Sequence, residues 1–395
     1  MNIAFFINKF PNIGGVESVT VSLANCFQGK GHKVSIISFE QEDDSILNDL
    51  DENIRLYYLS HPVVSVKNLI NVRKILIENE MDVILNQWCL PFFTSAFCRL
   101  AGLGISCPVV SIHHNAPNEN HKLRSFVDKL NTSQSVFGKL WYTCLKYFWK
   151  YLTIFSLKIT YLLSAKYIVL SKSFIPLFLS LTKISNSKKI EAIPNPLTIP
   201  IDPAFISNGF SYKKNEIIYV GRLEENQKKI TRILDIWEAL HQSNDDWKMK
   251  IVGDGPDKEM LIAYVKDKKL KNVSFEGFQN PLEYYRSAKI LLLTSDYEGF
   301  GLVITEAMAH GVVPVVFGSY DAVYDIIDTN VNGFIFKPPF DKGQFIEKIS
   351  FLIDNEFILK KCSHQGIEAI DKFSVESIYE KWIDLFGRVI KRKIK

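Results

Sequence analysis

What most limits the fold of this chain is an alternation of short apolar runs with stretches of helical spacing, present in each half. The first run, NIAFFI at 2–7, suits a strand buried on both faces. It passes through Gly14-Gly15 into VESVTVSLANCF, where Val16, Val19, Leu23 and Phe27 recur at helical spacing and Gly29 and Gly31 mark the stop. HKVSIISF (32–39), MDVIL (81–85), PVVSIH (108–113) and AKYIVL (165–170) continue the series. After IPNPLTIP (193–200), whose prolines suit a hinge, the pattern restarts. Its second set is EIIYVG (216–221), WKMKIVG (247–253), NVSFEG (272–277), AKILLLTS (288–295) and VVPVV (312–316). Apolar strands alternating with helices predict parallel sheets covered on both faces.

The expectation is an α/β chain of two doubly wound, Rossmann-like domains facing each other across a cleft, over 1–195 and 196–373. FSVESIYEKWIDLF (373–386) reads as a final helix with Ser374 as N-cap, and the segment 374–395 is expected to pack back toward the first domain. With 395 residues there is chain enough for two cores. A net charge of +4 is too small to imply nucleic acid. No run approaches the about 18 apolar residues of a spanning helix. The start MNIAFFINKF lacks a basic n-region and reads as a first strand. Six cysteines without a Cys-x-x-Cys pair read as reduced thiols of a cytoplasmic protein.

Ligands in doubly wound sheets lie beyond the carboxyl ends of the strands, so the loops there carry the chemistry. Gly14-Gly15 is either a site where backbone N–H groups meet an anion or an ordinary strand–helix turn. GDGPDK (253–258) and GFGLVI (299–304) begin like a dinucleotide fingerprint but lack its third glycine, which argues against a dehydrogenase. In GRLEENQKK (221–229), Arg222 offers planar donors and Lys228 or Lys229 a movable charge, together suiting a diphosphate. The same loop also reads as a solvated charged turn.

In EGFGLVITEAMAHGVVPVV, seven residues separate Glu298 from Glu306. Leu302 to Ala309 is helix-compatible and Gly311 can end it, which sets Glu306 about one turn, ~5 Å, inside the helix. The carboxylates could accept bonds from ligand hydroxyls, flank a scissile glycosidic bond at ~5–9.5 Å, or be exposed decoration. A glycosidase has no evident use for two phosphate-directed loops.

That string resembles the signature of retaining glycosyltransferases of family 4, which have the GT-B fold. GGVE (14–17), IPNPL (193–197), VGRL (220–223), VGDGP (252–256), EGF (276–278) and the terminal FSVESIYEKW extend the resemblance, densely in the second half and by short motifs in the first. It implies that Arg222 and Lys228 bind the donor diphosphate with help from the Gly14-Gly15 backbone. The loop after Gly277, with Phe278, would hold the base, and Glu306 the ribose. Glu298 with the Phe300-Gly301 backbone would take the sugar, with Asn195 and Gly253 among the donor-site motifs. His113-His114-Asn115 ends a first-domain strand, and His114 fits the place of a histidine that touches the donor sugar or acceptor in similar enzymes. The resemblance implies front-face attack within an ion pair and neither metal nor cofactor beyond the UDP- or GDP-sugar co-substrate. The acceptor would be a cell-surface glycan or glycolipid. One departure is an extra residue between Arg222 and its lysine. Alternatives are a GT-B epimerase or phosphorylase, and a catalytically silent sugar-nucleotide-binding protein.

Residues 121–166 hold eight basic side chains (Lys122, Arg124, Lys129, Lys139, Lys146, Lys150, Lys158 and Lys166), one acid, Asp128, and many aromatics. That mixture suits an anionic membrane surface, and part of it must be helix packed on the first domain. No nucleic-acid recognition motif accompanies the charge. The expectation is a protein peripheral to the inner face of the cytoplasmic membrane.

Overall fold

The computed structural model describes residues 1–119, 121–201 and 209–390. They form two compact units: Met1–Pro196 with the segment from Val375 onward, and Leu197–Ser374.

The first unit is built on seven strands: β1 (Asn2–Phe6), β2 (Lys33–Ser38), β3 (Arg55–Tyr58), β4 (Val83–Asn86), β5 (Val109–His113), β6 (Lys166–Val169) and β7 (Ile190–Ala192). Their order is β3-β2-β1-β4-β5-β6-β7 and every pair is parallel. The second unit has six: β8 (Lys214–Val220), β9 (Lys248–Val252), β10 (Val273–Gly277), β11 (Ala288–Leu293), β12 (Val313–Phe317) and β13 (Phe334–Phe336). Their order is β10-β9-β8-β11-β12-β13, again all parallel. Parallel neighbours need crossovers, and helices such as Gly15–Gly29 and Ile230–Leu240 supply them.

The central strands are buried along nearly their whole length: Ile3, Ala4, Phe5 and Phe6 in β1, and Ile290, Leu291, Leu292 and Leu293 in β11, have no exposed surface. Burial on both faces is why these segments read as continuous apolar runs. The strands that no apolar run foretold, β3, β7 and β13, all lie at sheet edges.

The C-terminal helix Val375–Val389 belongs to the first unit. Phe386 and Tyr379 pack on Phe27 with ring centroids 5.7 and 5.8 Å away. Arg388 grips Glu191 with two bonds, at 2.8 and 2.7 Å. Its apolar face, Ile378, Trp382, Leu385 and Phe386, is the reason it does not stand free.

Candidate active site

Each sheet reverses its strand order once, between β1 and β4 in the first unit and between β8 and β11 in the second. Loops leaving such neighbours diverge and open a crevice at the carboxyl edge. In the second unit the two loops at that point are GRLEENQKK, after β8, and SDYEGFG, after β11. Lys228 Nζ joins them by donating to Glu298 Oε1 at 2.6 Å. Asp296 N also donates to Gln227 O at 2.8 Å. An ammonium has three donors, so two remain to Lys228 for ligand oxygens.

Lys229 faces elsewhere. It takes the left-handed conformation, φ 51, between the one-turn helix Glu225–Lys228 and the helix Ile230–Leu240. Its ammonium lies 3.8 Å from Asp296 Oδ2, while Arg232 holds the other oxygen at 2.7 Å. The kink thus sends successive lysines to different carboxylates. Arg222 is 68% exposed and meets Glu224 at 3.5 Å. So open a pair holds its guanidinium weakly.

Gly253, directly after β9, is required by packing: its φ is 142, and a Cβ there would stand 1.9 Å from the carbonyl oxygen of Gly221. Gly221 N donates to Val252 O at 3.0 Å and Gly253 N to Gly277 O at 2.8 Å, so the ends of β8, β9 and β10 interlock. Phe278, just beyond, is 62% exposed.

The helix Leu302–Ala309 begins after Gly301 with no side chain capping its first N–H groups, an arrangement that favours an anion or ligand oxygen. The ring of Phe300 is buried and lies edge-on to Phe373, 5.6 Å between centroids. It anchors the loop, leaving backbone as what the loop can present.

Glu306 is buried in that helix. Thr198 donates to its Oε1, and Tyr285 Oη to its Oε2 at 2.9 Å. Burial pushes its carboxyl above the usual range, against the pull of both hydroxyls. Behind it, His310 Nδ1 lies 2.8 Å from Glu306 O and the imidazole stacks on Tyr285. Buried Lys213 donates to Tyr285 O at 2.6 Å and to His310 O at 2.7 Å. The reading of Glu298 and Glu306 as exposed decoration is therefore wrong, since both are buried and partnered. Tyr285 and Lys213 lie in no motif read from the sequence, and Thr198 and His310, though inside IPNPLTIP and EGFGLVITEAMAHGVVPVV, carry no mark of their own there. Thr198 and Tyr285 reach Glu306, and Lys213 reaches its neighbours, from elements distant in sequence, whereas His310 follows Glu306 by four residues at the end of the same helix.

In the first unit, the helix Gly15–Gly29 starts directly after extended Gly14. A Cβ on Gly14 would come 2.4 Å from Glu17 Oε2. Burial raises the Glu17 carboxyl, which is bonded to its own N–H and to Asn12. The helix start that looked open to an external anion thus already faces one acid. His113 is the last residue of β5, its Nδ1 2.9 Å from Tyr167 Oη. Burial lowers its imidazole to about 4. His114 is half-buried overall, but both its ring nitrogens are sealed from solvent and lack a partner, and burial lowers it to about 3. It lines a small cavity of this unit with Asn195, Gln87 and Trp382.

Residues 13–199 match the family model described as Glycosyltransferase Family 4, and residues 201–371 the model described as Glycosyl transferases group 1. The chain is 25% identical, over 96% of its length and 98% of the relative's, to an uncharacterized glycosyltransferase of Haemophilus influenzae. It is 24% identical, over 98% of its length and 99% of the relative's, to a Campylobacter jejuni alpha-1,4-N-acetyl-D-galactosaminyltransferase named for an undecaprenol-diphosphate-linked GalNAc acceptor. Among solved structures, a TarM variant of S. aureus in complex with UDP superposes with a TM-score of 0.74 at 15% identity, covering 98% of this chain and 99% of that one. Anabaena HepE in complex with UDP and glucose gives 0.74 at 17%, covering 98% and 100%. With a glycosyltransferase family model on each half and this two-sheet architecture, the chain is a glycosyltransferase of the GT-B type.

Proposed function

We propose that the chain moves a sugar from a nucleoside-diphosphate sugar, UDP-linked before GDP-linked, to a glycan or lipid-linked acceptor. Transfer retains anomeric configuration and needs no divalent metal. The observation that carries this reading is the Lys228–Glu298 bond across the two switch-point loops, beside the uncapped helix start at Gly301. It supplies cation, carboxylate and backbone donors in one place, which a diphosphate attached to a polyhydroxyl group requires. The solved relatives with UDP bound support the base, and the undecaprenol-linked acceptor in the Campylobacter name supports the acceptor class.

In this reading Arg222 and the two remaining donors of Lys228 hold the diphosphate. Glu306 accepts the ribose diol, Glu298 and the Gly301 backbone take the sugar, and Phe278 with Gly277 meets the base. Within the first unit, the same reading assigns ligand contacts to Gly14, Gly15, Asn195 and His114. The acceptor hydroxyl attacks the anomeric carbon on the face from which the nucleoside diphosphate departs. The carbon–oxygen bond to the β-phosphate breaks, and a departing phosphate oxygen takes the acceptor's proton. Arg222 and Lys228 offset the charge growing there. The test incubates the protein, with and without EDTA, with labelled UDP-sugars and an undecaprenyl-diphosphate-linked oligosaccharide, reading the new linkage by NMR. An α-linkage formed from an α-donor in EDTA is expected. A β-linked product, or free altered sugar, would overturn the reading.

A lipid-linked acceptor calls for a membrane surface, and the helix Val136–Leu163 offers one. It carries Lys139, Lys146, Lys150 and Lys158 and no acid. Thr153, Ser156, Leu157, Thr160 and Tyr161 face the protein. Phe137, Trp141, Phe148, Tyr151 and Phe155, spaced three, four or seven residues apart, form an outward stripe, each at least 50% exposed. Lys122 sits 4.4 Å over the Trp149 ring, binding the neighbouring helix His121–Thr132 alongside. The side chain of Asp128, that segment's one acid, lies outside the described residues. Among the described residues no helix is long and apolar enough to cross a membrane. Aromatics between lysines instead suit a helix lying in the headgroup plane of an anionic leaflet, the inner face of the cytoplasmic membrane.

A further inference from the structure

Tyr320 follows β12 and is 5% exposed, yet its hydroxyl has no hydrogen-bond partner. A buried hydroxyl left unpaired is destabilising, and a phenylalanine would fill the same ring space without that penalty. The ring's packing therefore does not account for the oxygen, but its surroundings do.

A Cβ built on Gly301 would stand 2.7 Å from Tyr320 Oη, so the hydroxyl rests against the backbone that opens the helix Leu302–Ala309. Glu298 lies three residues before that glycine, near enough for its charge to reinforce burial in keeping the phenol protonated. Ser295, beyond the end of neighbouring β11, has a second buried hydroxyl without a partner. Ser319 Oγ donates to Ser295 O at 2.6 Å, tying the two strand ends together. A carboxylate that accepts and a phenol that can donate thus lie within electrostatic reach of each other, the phenol against the Gly301 backbone. The ligand group that suits both at once is an alcohol, which donates to the first and accepts from the second.

We propose that Tyr320 donates to a hydroxyl of the transferred sugar, the same hydroxyl that donates to Glu298, and thereby helps set which donor sugar is accepted. This rests on the donor-site reading above. A site built to hydrogen-bond a hydroxyl discriminates against a sugar that lacks it or carries it in the other configuration, because the protein groups are then left unpaired.

The test is calorimetric titration of the wild type and Tyr320→Phe with UDP, GDP, UDP-glucose, UDP-galactose, UDP-N-acetylglucosamine and GDP-mannose, with thermal unfolding of both proteins. For the sugar nucleotide that the wild type binds most tightly, Tyr320→Phe is expected to weaken binding about ten-fold, with the bare nucleoside diphosphate within about two-fold and Tm unchanged or higher. Equal binding of that sugar nucleotide by both proteins would overturn the assignment. So would an equal loss for sugar nucleotide and bare nucleotide, or a lowered Tm with unchanged sugar discrimination. Failure of the wild type to bind any of the six would instead bring down the donor-site reading itself, a result visible before the variant is compared.

Discussion

A carboxylate already bonded to two protein hydroxyls can still accept from a ligand, because each oxygen offers a second lone pair. Glu306 is in that position, with Thr198 and Tyr285 as its fixed partners. Glu306→Gln keeps the shape, and both hydroxyls can reverse roles to suit an amide. Donor affinity, measured calorimetrically, is expected to fall ten-fold or more, a loss of about 1.4 kcal/mol or more, while Tm stays level or rises. Unchanged donor affinity would remove Glu306 from the ribose. The two lysines separate in the same way. Lys228→Ala strips a buried carboxylate of its partner, so kcat/KM and Tm should both fall. Lys229→Ala loses a looser contact to Asp296, which keeps Arg232, and should spare turnover. The reverse ranking in steady-state kinetics would reassign the phosphate lysine. The residues legible in sequence as candidates are those inside a short motif: Arg222 and Lys228 in GRLEENQKK, Glu298 and Glu306 in EGFGLVITE. Thr198 was not, because its bond to Glu306 spans 108 residues and no local spacing encodes it. Tyr320 was missed for a related reason. What marks it is an unpaired oxygen, which exists only once the chain has folded around it.

At the scale of elements, legibility followed burial. Strands covered on both faces advertise themselves as apolar runs, so β1, β8 and β11 stood out within a residue or two of their ends. An edge strand has one side unpaired, and β3, RLYY, is largely exposed or half-exposed with a charged first residue. Nothing separates such a segment from a polar loop until its neighbour β2 pairs with it. The basic aromatic segment 121–166, which holds the helix Val136–Leu163, was legible for the opposite reason: lysines and aromatics with a single acid are too unusual for an ordinary surface helix. If its outward stripe meets lipid, a Trp141→Ser, Phe148→Ser double variant should lose most sedimentation with vesicles containing anionic lipid. Turnover with a water-soluble acceptor should stay near wild type, since both side chains point to solvent. High salt should weaken the wild type's binding, as Lys139, Lys146 and Lys150 contribute the electrostatic share. Sedimentation unaffected by either change would assign the stripe to a protein partner instead, and a concentration-dependent dimer would name a second copy as that partner.

At the scale of the whole molecule, each unit buries histidine held neutral and a carboxyl raised by burial, but in different proportion. The first holds His113 and His114 neutral, burial lowering them to about 4 and about 3. An unfolded chain protonates both near about 6.5. Between those values the unfolded state binds protons that the folded state refuses, so stability falls as pH drops from about 6.5 toward 4. The slope reaches about 1.4 kcal/mol per pH unit for each histidine. The second unit shares part of this through His310, also lowered chiefly by burial. Each unit holds a counterweight, Glu17 in the first and Glu306 in the second, whose carboxyls are raised by burial. The folded state keeps those protons above the pH at which the unfolded chain releases them, so acidification through that window favours folding. With two lowered histidines against one, the first unit should open first. Hydrogen exchange at pH 7, 6 and 5 is expected to show β5 losing protection before β11, and His113→Asn should flatten the pH dependence of β5 whatever it does to absolute stability. Were β11 to open first, or the slope for β5 to survive the substitution, the buried histidines would not be what governs acid unfolding of this protein.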